Sequence, residues 1–95
     1  MKSPDSYLIE MLPAAKRELL SLRDPIRERI QVAIRALADD PHPDDSIAMR
    51  GRGTGLHRLR VDSYRVVYRV HTKQMRLLVI RIGHRSEVYR GWEEM

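Results

Sequence analysis

The chain has 95 residues, a third of them charged, with 18 Lys and Arg against 13 Asp and Glu for a net charge of +5. That length predicts a single domain over 1–95 with a modest core, and no second domain is expected within it. Cysteine is absent, which excludes disulfides and thiolate chemistry and suits a reducing cytoplasm; with no apolar run of about 18 residues and no leader pattern, a cytoplasmic protein outside the membrane is expected.

In chain order, "SYLIEML" alternates weakly before Pro13 and predicts a short first strand over 6–11. A first helix starts near Pro13, with Leu12, Ala15, Leu19 and Leu22 at helical spacing. Asp24 and Pro25 supply an N-cap and an N1 proline for a second helix, whose apolar face is Ile26, Ile30, Ala33, Ile34 and Leu37. The two form a helical hairpin across "RDP". "DDPHPDDS" at 39–46 reads as a solvated loop. Four aspartates surround His42 there, but their spacing matches neither a calcium loop nor a zinc pattern, so no metal is expected.

Three strands follow at 56–61, 64–70 and 75–83, joined by the short turns "DS" and "HTKQ", which favour an antiparallel meander. Helices segregated before strands give an α+β class, β-α-α-β-β-β, with the helical hairpin packed on one face of an antiparallel sheet. Parity then sorts the side chains. Leu59 and Val61, then Tyr64, Val66, Tyr68 and Val70, then Leu78, Ile80 and Ile82 are expected to face the helices. His57 shares that parity and is expected to be structural, while Met11, Met49 and Met75 fill gaps. The opposite class holds Arg58, Arg60, Arg65, Arg69 and Arg81, with Val67, Leu77 and Val79 between them.

Charge is confined to this half. Between residues 50 and 90 there are eleven Arg or Lys against Asp62 and Glu87, a local +9, leaving −4 for the rest. So many arginines on one open face cannot be buried cheaply without acids to pair them. A one-sided basic field of this kind favours a polyanion, most often nucleic acid. Long arginine stems covering an open sheet would explain one or two of them. His84, Arg85, Tyr89 and Arg90 then follow directly beyond the glycine that ends the last strand. The chain has no Phe and one Trp, Trp92, so this is no aromatic stacking platform.

The "MRG" at 49–51, "HRLRVDSYRVVYRV" at 57–70 and "IGHRSEVYR" at 82–90, with this order of elements, resemble the RelE/ParE toxin superfamily of bacterial type II toxin–antitoxin systems. The resemblance runs from the first strand almost to the C-terminus. It implies the RelE-like fold and one of two activities. RelE-like members enter the ribosomal A site and cleave mRNA; ParE-like members poison DNA gyrase and generally lack the catalytic set. This chain keeps that set: Arg58 and Arg60 match two basic strand residues, Arg65 the arginine after the strand tyrosine, Arg85 the arginine after the glycine, and Tyr89 the C-terminal tyrosine. Arg50 matches a basic residue of the substrate-facing loop. Arg69, Arg81, His84 and Arg90 join it as expected RNA-binding residues.

RNA cleavage without a metal needs a base for the ribose 2′-OH, positive charge for the developing phosphorane and an acid for the departing 5′-oxygen. It yields a 2′,3′-cyclic phosphate and a 5′-hydroxyl, with no cofactor. Guanidinium groups suit the middle role, because they grip phosphate in a fork and stay charged. They cannot serve as the base, so a lysine-base mechanism known from some relatives does not transfer. Tyr89 and His84 are the candidates for it. Alternative readings are a ParE-like gyrase inhibitor and an RNA-binding module without catalysis. The resemblance further implies a cognate antitoxin, expected to bind through an acidic amphipathic segment, and a ribosome carrying mRNA as the target.

Overall fold

The computed structural model describes residues 6–49 and 55–89. The elements are β1 (Leu8–Met11), α1 (Pro13–Leu20), α2 (Ile26–Ala36), β2 (Ser46–Ala48), β3 (Leu56–Val61), β4 (Tyr64–His71) and β5 (Arg76–His84). The sheet runs β1-β5-β4-β3-β2. Both helices lie on one face, as their position before the meander predicts. Ala15, Leu19, Ile30, Ile34 and Leu37 are buried against Leu59, Val66, Tyr68, Leu77, Val79 and Ile82 of the sheet.

Two features of the sheet differ from the expectation. β2 adds a fifth strand, antiparallel to β3, with Ile47 opposite Arg58; three residues are too few to show a period. β1 pairs with β5 in parallel, Leu8 opposite Arg76 and Met11 opposite Val79, so the sheet is mixed rather than wholly antiparallel. The intervening helical hairpin supplies the long connection that a parallel pair requires.

The helix ends also differ. No side chain caps α2, whose N-cap position is Pro25 after a cis Asp24–Pro25 bond, so the expected Asp24 cap does not form. The Asp24 carboxylate instead accepts from Arg27 at 3.4 Å. Leu12 stands before α1 with its side chain exposed rather than on the buried stripe.

Parity fails in the first half of β5. Leu77 and Val79 are fully buried in the helix-facing core, whereas Leu78 and Ile80 are half-buried. The register supplies the reason: Val67 opposes Arg81 but Tyr68 opposes Val79, leaving Ile80 as an extra residue in a β-bulge. One extra residue resets the alternation of every residue before it. Ile80 therefore joins Leu56, Val67 and Val88 in a second small core on the face away from the helices.

Past Met11 the outer edge of β5 has no strand partner among the described residues. Glu18 of α1 takes that place: one carboxylate oxygen accepts the Ile82 backbone N–H at 2.8 Å and the other accepts Arg81 Nε at 3.2 Å. The final residues of β5 are held in line and their open edge is closed.

A ring stack fixes the other side of the sheet. His57 lies 5.5 Å from the Tyr68 ring and 4.8 Å from His42, and the Tyr68 hydroxyl donates to the Pro41 carbonyl at 2.7 Å. Burial, then the charge of His42, pushes the His57 imidazole below its ordinary value of 6.5. The unfolded chain therefore takes up a proton before the folded one does. Its contribution is fully present above about 6.5 and is lost as pH falls towards and through the folded value. Urea midpoints from pH 7.5 to 5 should fall in the native chain and fall less in His57→Phe, which keeps a ring on Tyr68.

Candidate functional site

The face away from the helices carries the arginines, and the register arranges them in rows. Arg60 of β3 stands directly opposite Arg65 of β4, which in turn opposes Gly83 of β5. The neighbouring row is Ile47, Arg58 and Val67. Cross-strand partners point to the same face about 5 Å apart, so like charges placed opposite one another destabilise the sheet. Arg60 and Arg65 form such a pair.

Gly83 explains how the C-terminal turn reaches this surface. A Cβ placed there would lie 3.5 Å from the Val88 side chain, so residues 84–89 fold back over the sheet at van der Waals distance from the strand. Val88 is buried between Leu56 and Val67, and Tyr89 packs beside it. The Arg85 N–H donates to the Ser63 carbonyl at 2.8 Å, tying the turn to the β3–β4 hairpin. The turn thus delivers Arg85 and Tyr89 to the arginine rows.

Together these residues line a cleft of about 520 Å³, walled by Asp44, Asp45, Ile47, Arg58, Arg60, Arg65, Arg85 and Tyr89. Among the described residues, none of the four arginines has a carboxylate within ion-pair distance. Arg65 is oriented by backbone alone, its Nη1 donating to the carbonyls of Tyr64 at 2.8 Å and Asp62 at 3.1 Å. Asp62 is itself held by Arg29 at 2.9 Å. The Arg58 guanidinium carbon lies 6.0 Å from the centre of the Tyr89 ring. Tyr89 Oη is buried and has no hydrogen-bond partner among the described residues.

Five residues expected from sequence as the catalytic set, Arg58, Arg60, Arg65, Arg85 and Tyr89, line this one cleft. Three expected as RNA-binding do not. Arg81 is held by Glu18 at the sheet edge, and Arg69 lies at the opposite end of β4, opposite Leu56 and Leu78. His84 packs edge-on to the Tyr64 ring at 5.5 Å. Its Nδ1 accepts the Ser86 N–H at 3.2 Å and lies 2.8 Å from Ser86 Oγ, leaving the neutral ring's proton on Nε2. Arg50 and Arg90, and Trp92, lie outside the described residues.

Asp44 and Asp45 were missed as site residues because their loop reads as solvated. They reach the cleft because that loop is pinned: the Arg60 N–H donates to the Asp45 carbonyl at 3.0 Å, and Ser46 Oγ donates to the Pro43 carbonyl at 2.8 Å. The pairing of β2 with β3 sets Asp45 beside Arg60, and three residues of strand carry no sequence signal that could have found it. Among the described residues no group of three or more His, Asp and Glu is placed to hold a metal, and no helix is long and apolar enough to cross a membrane.

Comparison with known proteins gives a consistent result. The model of the family described as ParE toxin of type II toxin-antitoxin system, parDE, matches residues 9–89. The fold is similar to the archaeal RelE–RelB complex from Pyrococcus horikoshii OT3, with a TM-score of 0.76 and 25% identity over 87% of this chain and 99% of that one. It is similar to the isolated E. coli RelE toxin, with a TM-score of 0.73 and 24% identity over 94% and 97% of the respective chains. A YoeB/ParE toxin from Agrobacterium tumefaciens gives 0.68 and 21% over 80% and 95%. No curated protein sequence matches the chain.

Proposed function

We propose that this chain, which belongs to the ParE toxin family of type II toxin–antitoxin systems, acts as a RelE-like mRNA endoribonuclease in the ribosomal A site. The observation that carries the reading is the cleft itself: four guanidinium groups, with no ion-paired acid among the described residues, converge with a phenol and two aspartates. Positive charge held ready where a phosphorane develops needs no reorganisation during reaction. Arg60, Arg65 and Arg85 supply that charge, and their unpaired state is the arrangement a phosphodiester completes.

Proton transfer falls to the phenol and the carboxylates that line the same cleft. A carboxylate accepts a proton and a phenol donates one at neutral pH. Asp44 or Asp45 therefore takes the proton of the 2′-OH, and Tyr89 donates to the departing 5′-oxygen. The 2′-oxygen bonds to phosphorus as the phosphorus–5′-oxygen bond breaks, giving a 2′,3′-cyclic phosphate and a 5′-hydroxyl. The residues provide for this without a metal or cofactor. In a cytoplasmic setting the partners are the mRNA-bearing ribosome and a cognate antitoxin, for which the RelE–RelB complex from P. horikoshii offers the structural parallel. An acidic segment of that antitoxin complements the arginine cleft.

A second reading, inhibition of DNA gyrase, is favoured by the family description, which names ParE. Primer extension on an mRNA in a reconstituted translation reaction separates the two. Cleavage within A-site codons that requires ribosomes is expected, with about a 10²-fold loss in Arg85→Ala. Intact mRNA with native protein, alongside cleaved DNA in a gyrase assay, would overturn the nuclease reading.

A further inference from the structure

Ile47 is the aliphatic side chain on the cleft wall, and it is 56% exposed. It is not part of either core. Its strand is the edge of the sheet, and its cross-strand partner is Arg58, so the two side chains stand next to one another on the cleft face. Arg58 in turn leans over the Tyr89 ring at 6.0 Å. Ile47, Arg58 and Tyr89 thus form one continuous flank, built from an aliphatic group, a planar cation and a ring. The opposite flank, where Arg60 faces Arg65 beside Gly83, presents charge alone.

An oligonucleotide presents the same division at every unit: a phosphate that requires cations and a base with an apolar face. Guanidinium planes and apolar side chains both support base faces, whereas paired arginines hold phosphate. We propose that Ile47 is a specificity-determining residue that packs against the nucleobase beside the scissile phosphate, with Arg58 completing the base subsite rather than gripping phosphate. This rests on the proposed nuclease function and deepens it. The apolar contact grows with the area of the base it covers, so the subsite favours a purine over a pyrimidine. Removing most of the Ile47 side chain removes most of that difference and leaves the phosphate flank intact.

The test is cleavage of a set of mRNAs that differ only in the A-site codon, in the reconstituted translation reaction, by the native chain, Ile47→Ala and Ile47→Val. The native chain should prefer purine over pyrimidine at one codon position. In Ile47→Ala that ratio should fall about fivefold, while Ile47→Val keeps most of it. A thermal melt unchanged between the variants, expected for so exposed a side chain, separates the effect from misfolding. Retention of the native codon profile by Ile47→Ala overturns the base subsite while leaving the nuclease reading in place. Absence of cleavage by the native chain on every codon overturns the nuclease reading and the subsite with it.

Discussion

Tyr89→Phe should raise the stability of the fold and at the same time lower ribosome-dependent mRNA cleavage by about 10²- to 10⁴-fold. The opposed signs follow from one atom. Tyr89 Oη is buried and finds no partner among the described residues, while the ring packs against Leu56, Val67 and Val88. A buried hydroxyl without a hydrogen bond costs its desolvation, and phenylalanine keeps the ring while removing that cost, a gain of about 1 kcal/mol. A residue kept for packing alone would show the gain without the loss. Urea denaturation of the purified toxin reads the first effect and primer extension the second. The Arg58 guanidinium leans over the Tyr89 ring on the cleft wall, so a base entering beside Ile47 and Arg58 would come to lie next to that ring. Equal or lower stability in Tyr89→Phe would mean that the hydroxyl is satisfied in solution, and unchanged cleavage would remove Tyr89 from the proton-transfer role. In the second case Asp45→Asn becomes the informative variant, since the carboxylates are then the remaining proton-handling groups on the wall.

The arginine rows of the cleft were legible in the sequence for a simple reason. Arg58, Arg60 and Arg65 lie on β3 and β4, joined by a two-residue turn whose Asp62 adopts a left-handed φ of 54°. A turn so short fixes the register, and a fixed register fixes the face of every side chain on both strands. Arg85 and Tyr89 were legible by resemblance alone; nothing in their spacing reveals that the turn folds back over Gly83. What sequence reasoning missed depends on contacts between distant segments. Asp44 and Asp45 belong to the cleft because the Arg60 N–H bonds the Asp45 carbonyl and the His42 ring packs at a tilt against His57. Arg81 is removed from it by Glu18, 63 positions earlier in the chain. Neither relation leaves a periodic signal, and the same holds for β2, too short to alternate visibly.

The bulge in β5 provides the sharpest test of the fold, because it inverts an assignment that alternation alone makes. Strict parity places Leu78 and Ile80 towards the helices and Leu77 outward; the pairing of Val67 with Arg81 and Tyr68 with Val79 reverses this. Leu77 is fully buried at the centre of the sheet, opposite Val70 on one side and Ile9 on the other. Leu77→Ala should therefore cost about 2–5 kcal/mol, the loss of transfer energy plus a cavity that flanking strands cannot collapse. Leu78→Ala, at a half-buried position on the other face, should cost about 1 kcal/mol. Urea midpoints measured in an Arg85→Ala background, chosen to reduce toxicity during expression, would read both. A larger loss in Leu78→Ala than in Leu77→Ala would mean that the alternation runs unbroken through Ile80. The consequence would extend to the site, because the bulge is what lets Ile80 support Val67 and Val88 on the far face while Ile82 returns to the main core. Without that support, the turn carrying Arg85 and Tyr89 would lose part of the apolar floor that holds it over the sheet. The bulge thus joins the two cores to the cleft, and its energetic signature should be measurable without any assay of activity.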